Sequence, residues 1–63
     1  MPVVRVSFYE GRSVAQKREI AEVITDALVR IAGSKREGVH VMFENVPRED
    51  WVIGGAAEHK KGG

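Results

Sequence analysis

The chain opens Met1-Pro2, and this dipeptide carries the clearest chemical potential in the sequence. An initiator Met before a small residue is normally removed, which leaves Pro2 with a free secondary amine. A free α-amino group titrates at about 7.7–8.0. An apolar pocket or a nearby cation lowers that value, because both disfavour the charged form. Such a nitrogen can serve as a general base near neutral pH. Many chains start this way with no chemistry attached, so the reading depends on the remaining residues. His40 and His59 are far apart and lack the spacing of metal ligands. Gly54-Gly55 reads as a turn before it reads as a phosphate cradle, and Met42 as a core or interface position.

Size sets the next constraint. A chain of 63 residues makes one domain, 1–63. It buries only about 60% of its unfolded surface, so a lone core is marginal. Disulfides, a structural metal or oligomerisation normally compensate. There is no Cys, and the histidines do not suggest a metal, which leaves self-association. Ten basic and nine acidic residues are interspersed, for a net charge of +1. That balance gives no reason to expect a nucleic-acid partner. No apolar run reaches membrane-spanning length and no signal-peptide pattern starts the chain, so the expectation is a cytoplasmic protein without a membrane partner.

The elements that must position Pro2 follow from periodicity. Residues 2–9 are rich in β-branched and aromatic types and predict a strand, with Val4, Val6 and Phe8 on one face. Glu10-Gly11-Arg12 predicts a turn. Ser13 and Gln16 fit a capping box at a helix start, and Gly33 a C-terminal stop. Between them Ile20, Val23, Ile24, Ala27, Leu28 and Ile31 form an apolar stripe, and Arg18–Glu22 and Asp26–Arg30 are spaced to pair. Ser34 to Gly38 is a polar connection. Residues 39–44 predict a second strand, with Val39, Val41 and Phe43 facing the helix and His40, Met42 and Glu44 facing away; Pro47 ends it. Trp51-Val52-Ile53 and Gly54-Gly55 predict a short hairpin, and the tail over about 57–63 is expected to be mobile. The fold class is therefore α/β: a β-α-β unit with a parallel strand pair and a C-terminal hairpin. One helix covers one face of that pair. The other, carrying Val3, Tyr9 and Met42, calls for a second subunit.

Three motifs, in this order and in a β-α-β chain of this length, carry a resemblance. They are Met1-Pro2, Glu10-Gly11-Arg12-Ser13 followed by Gln16-Lys17, and Trp51-Val52-Ile53-Gly54-Gly55. Together they make the chain resemble the 4-oxalocrotonate tautomerase family (2-hydroxymuconate tautomerase-like) along nearly its whole length. The resemblance implies a cofactor-free isomerase, assembled as a homohexamer (a trimer of dimers) with active sites at subunit interfaces. It implies that Pro2, once Met1 is gone, moves a proton within a small unsaturated 2-hydroxy or 2-oxo acid. In the best-known members this reaction belongs to bacterial degradation of aromatic compounds.

The resemblance also assigns roles. Arg12 matches the arginine that binds a substrate carboxylate, a task suited to a forked guanidinium. It sits near a helix start, where a positive charge gains nothing from the dipole. Trp51 matches an aromatic, usually Phe, that lines the pocket and keeps the proline's pKa low. Tyr9 replaces a common aliphatic residue and adds a phenol near the site. His40 is the clearest departure, standing where the best-known tautomerases carry a second arginine. Histidine is shorter and mostly neutral at pH 7, so it offers one hydrogen bond rather than a permanent forked charge. Lys35, Arg36 and Arg5 are the other cations that could supply it. Two alternatives remain open at this point. One is a divergent hydratase-dehalogenase or decarboxylase with Pro2 as acid; the other is a non-catalytic assembly subunit if Met1 is retained.

Overall fold

A computed structural model describes residues 1–9 and 11–57. Glu10, within the expected turn, and residues 58–63 of the expected mobile tail lie outside the described residues. The chain runs β1 (Val3–Tyr9), α1 (Val14–Ala32), β2 (His40–Val46), β3 (Val52–Ile53) and β4 (Ala56–Ala57). Ala57, expected in the tail, is the last residue of β4. Single 3₁₀ turns at Arg36–Gly38 and Arg48–Asp50 flank β2. The first delays β2 to His40, because the Val39 N–H is taken by the Arg36 carbonyl at 3.2 Å.

β1 and β2 pair in parallel, from Val3 opposite His40 to Tyr9 opposite Val46. The register puts Val4 beside Val41 and Val6 beside Phe43, all half-buried on the face toward α1. The Phe8 and Phe43 rings stack there at 5.9 Å between centroids. Val3, Arg5, Ser7, His40, Met42 and Glu44 make up the opposite face, which is exposed. On it the Ser7 hydroxyl donates to Glu44 Oε1 at 3.1 Å.

Local chemistry fixes both ends of α1. The Ser13 hydroxyl oxygen accepts from the Gln16 N–H at 3.1 Å, and Gln16 Oε1 accepts from the Ser13 N–H at 3.0 Å. These reciprocal bonds satisfy donors that the helix itself cannot. Gly33 adopts φ 74°, a left-handed conformation that costs glycine little, and its N–H and that of Ser34 both reach the Leu28 carbonyl. The hairpin turns on Gly54 and Gly55, at φ 62° and 86°. Two consecutive positive φ values suit the twist of a two-residue hairpin loop.

Two helix expectations need correction. Ile20, Ile24, Ala27 and Leu28 are half-buried as the stripe requires, but Val23 is 64% and Ile31 79% exposed. Two strands cover only a narrow band, and the packed face turns toward Ala21, Thr25 and Val29 instead. Asp26 pairs with Arg36 of the following 3₁₀ turn at 2.8 Å, not with Arg30, and no ion pair joins Arg18 to Glu22. The turn carries Arg36 back over the helix, where it meets the carboxylate ahead of its neighbour on the same helix. Both side chains are about half exposed, so the pair contributes at most about 1 kcal/mol.

No described residue is fully buried. Loss of the cap should therefore be felt in a chain with little stability to spare. Ser13→Ala is expected to cost about 1 kcal/mol in urea unfolding at matched protein concentration. Ser13→Asn should retain most of it, and an unchanged midpoint for Ser13→Ala would show that the cap is redundant.

Candidate active site

Pro2 extends the parallel ladder by one rung. Its carbonyl accepts from the His40 N–H at 3.0 Å, which holds the half-buried proline beside the start of β2. An open cleft of about 290 Å³ adjoins it, lined by Met1, Pro2, Ser34, Lys35 and Gly38. The left-handed Gly33 and the 3₁₀ turn bring Ser34, Lys35 and Gly38 to this position. With Met1 attached, the Pro2 nitrogen is an amide and has no basic lone pair. The His40 side chain is exposed on the other face of the sheet and is not part of the cleft lining.

A second group gathers at the far end of β1. The Tyr9 and Trp51 rings meet edge to face, with centroids 4.5 Å apart. Arg48 sits 5.8 Å over the Tyr9 ring and Arg12 sits 5.1 Å over the Phe8 ring, both within cation–π range. Arg12 also borders an open groove of about 440 Å³ with Gln16, Glu19, Ile20, Val23 and Ile24. Arg48 escaped the sequence reasoning. Its only signal was an arginine following Pro47 and preceding Trp51 by three residues, which says nothing about Tyr9 until the 3₁₀ turn is known.

The expected site residues thus fall into two clusters. Pro2 and the His40 backbone lie at one end; Tyr9, Trp51, Arg12 and the newcomer Arg48 lie at the other. At about 3.3 Å per residue, β1 separates Pro2 from Tyr9 by roughly 20 Å. A small acid cannot touch both ends of one protomer. Among the described residues no cluster of His, Asp or Glu is placed to hold a metal ion, and no helix is long and apolar enough to cross a membrane.

A parallel β-α-β unit with a proline at the start of its ladder and a guanidinium beyond the end is a small α/β scaffold whose function the fold alone does not define. The sequence profile of the family described as "Tautomerase enzyme" matches residues 2–61. The chain therefore belongs to the tautomerase family and is an isomerase. It is 36% identical to a 2-hydroxymuconate tautomerase of Pseudomonas putida over 62 residues, 98% of each chain. Among solved structures it resembles a 4-oxalocrotonate tautomerase homologue with a TM-score of 0.87 at 35% identity, covering all of both chains. It also resembles a heterohexameric 4-oxalocrotonate tautomerase of Chloroflexus aurantiacus, with a TM-score of 0.87 at 28% identity, covering 95% of this chain and 97% of that one.

Trp51 is the single tryptophan, so its emission reports on this cluster alone. Tyr9→Ala removes the ring against its edge and should shift the emission to longer wavelength. An unshifted spectrum would mean that the Tyr9 contact does not shield the indole in solution.

Proposed function

We propose that this tautomerase moves a proton within a small unsaturated 2-hydroxy or 2-oxo acid of the 2-hydroxymuconate type, with Pro2 as general base after loss of Met1. The observation that carries the reading is the 3.0 Å bond from the His40 N–H to the Pro2 carbonyl, which fixes the proline at the lip of an open cleft. A base must be held in place relative to the proton it takes, and geometry precedes pKa in that requirement. A ladder hydrogen bond one atom group away from the amine meets it. The dienol loses its hydroxyl proton to the neutral amine, and the same nitrogen returns a proton to carbon to give the conjugated ketone.

Arg12 binds a carboxylate of the substrate. Its guanidinium carbon lies 5.1 Å from the centre of the Phe8 ring, a contact that holds the charge in place without a carboxylate competing for its donors. Trp51 and Tyr9 wall the apolar side of the pocket, and His40, on the open sheet face away from its own chain's Pro2 cleft, offers a single hydrogen bond only to a site shared with a second chain. In this reading Pro2 and Arg12 come from different chains, since the length of β1 keeps them apart in one. The exposed sheet face supports the same idea, because nothing among the described residues covers Val3 or Met42. We assign a homohexamer, a trimer of dimers, in the cytoplasm; the Chloroflexus relative is a heterohexamer. A muconate-type substrate would place the enzyme in aromatic-compound breakdown.

Ultraviolet monitoring of 2-hydroxymuconate with protein of verified intact mass tests the reading. Protein lacking Met1 is expected to turn over, whereas equal activity of a form that keeps Met1 rules out the Pro2 amine. Pro2→Ala, which leaves a primary amine, should lower kcat about 100-fold or more, in the range of a lost general base. Because the base works as the neutral amine, activity should fall as pH drops through its pKa; activity that instead fails with rising pH would make Pro2 an acid and favour a decarboxylase or hydratase chemistry.

The shared site has its own test. Arg12→Ala should raise KM for the dicarboxylate, and at low substrate co-assembly of Pro2→Ala with Arg12→Ala chains should give more activity than the two variants assayed separately. No gain in verified mixed oligomers would return both residues to one chain.

A further inference from the structure

We propose that Lys35 is the substrate-binding cation beside Pro2, supplying the permanent positive charge that His40 does not. The proposal rests on Pro2 being the catalytic end of the site. Four basic residues lie near enough in sequence or register to compete for the role, and their placement within one protomer separates them. Arg36 is engaged by Asp26 at 2.8 Å. Arg5 lies opposite Met42, exposed on the face of the sheet turned away from the helix. His40 lies on that same face, and only its backbone reaches Pro2. Lys35 alone among them lines the cleft that Pro2 lines.

Its backbone is well anchored for the task. The Lys35 carbonyl accepts from the Gly38 N–H at 2.9 Å, closing the 3₁₀ turn. On one side Gly33 ends the helix in a left-handed cap, and on the other Arg36 is tied to Asp26. Among the described residues Lys35 forms no ion pair, and no carboxylate contributes to the cleft lining. The cleft is therefore lined by one cationic residue, Lys35, together with Ser34, Gly38 and the Met1-Pro2 terminus, and by no carboxylate among the described residues. That set suits the carboxylate of a 2-oxo acid whose reacting carbon lies over Pro2.

An ammonium is a compact point charge, not a planar fork. It holds a carboxylate without dictating the plane of the acid, so the site should accept acids whose carboxylate is twisted out of the dienol plane. This differs from the arginine expected at position 40, and explains how a chain with His40 there keeps an anion-binding group at its base.

The test uses Met1-free enzyme and cis,cis-muconate, a stable dicarboxylate that binds without reacting, followed by calorimetry, alongside turnover of 2-hydroxymuconate. Lys35→Met keeps the length of the side chain and removes the charge. It should weaken muconate binding and raise KM about tenfold or more, as expected for a lost charge-assisted hydrogen bond. Lys35→Arg should stay within a few-fold of the parent, and raised salt should weaken binding to the parent more than to Lys35→Met. Muconate affinity unchanged in both Lys35→Met and Lys35→Gln would overturn the proposal. Pro2→Ala distinguishes the two readings. If it abolishes turnover while the Lys35 variants bind normally, the base stands and the lysine falls. If it leaves turnover intact while Lys35→Met loses affinity, the base falls and the anion site stands.

Discussion

The parallel ladder from Val3–His40 to Tyr9–Val46 is the interaction on which every other placement depends. It carries Pro2 to the start of β2 through one further hydrogen bond, and it delivers Tyr9 to the strand end from which Trp51 returns. Side chains alternate faces along each strand, so a slip of one residue would exchange the faces. Val4, Val6, Val41 and Phe43 would then leave the helix, and Arg5, Ser7 and Glu44 would be driven under it. The apolar pattern makes that exchange costly, so the register is fixed by the same residues that form the small half-buried core. The placement of Pro2 and the packing of the core are thus one constraint and not two.

A second constraint is the shortage of covering surface. One helix over two strands leaves no described residue fully buried, and it leaves Val3, Met42, Val23 and Ile31 exposed on two different sides. Val3 and Met42 lie on the sheet face, Val23 and Ile31 along the helix beyond the strands. At about 25 cal/mol per Å² of apolar surface removed from water, covering either side stabilises the chain appreciably. In the assembly proposed above, association acts twice: the partner covers apolar surface, and it brings Arg12 of one chain toward Pro2 of another.

How much of this was legible in the sequence depends on the range of the interaction. Ser13 with Gln16, Gly33, and Gly54-Gly55 act within a few residues, and each appears in the structure where the sequence put it. The alternation along β1 and β2 fixed their faces for the same reason. Asp26 was misassigned because helix spacing makes Arg30 available but cannot say that a loop arginine will reach the same carboxylate. Arg48 was missed because its relation to Tyr9 needs both the 3₁₀ turn and the strand pairing. Motif order pointed to Pro2 and Arg12 as partners, yet nothing in a linear sequence states that β1 holds them apart within one chain.

The charge of the molecule is organised on the same local scale. A net charge of +1 provides almost no long-range field to draw in an acid. Among the described residues, what the chain offers is cations without ion-pair partners, Arg12 and Arg48 at one strand end and Lys35 at the other. The guanidinium carbons of Arg12 and Arg48 lie 5.1 Å and 5.8 Å from the centres of the Phe8 and Tyr9 rings, so each charge is steadied by an aromatic ring that does not neutralise it. A carboxylate partner would have steadied them as well, but would have consumed the donors a substrate needs. Aromatic support leaves the charge uncompensated at modest cost, since a guanidinium is only weakly hydrated. In the proposed reading, an acid bound there meets a charge already held in place, and that saving in ordering free energy favours the bound complex without any strong overall field.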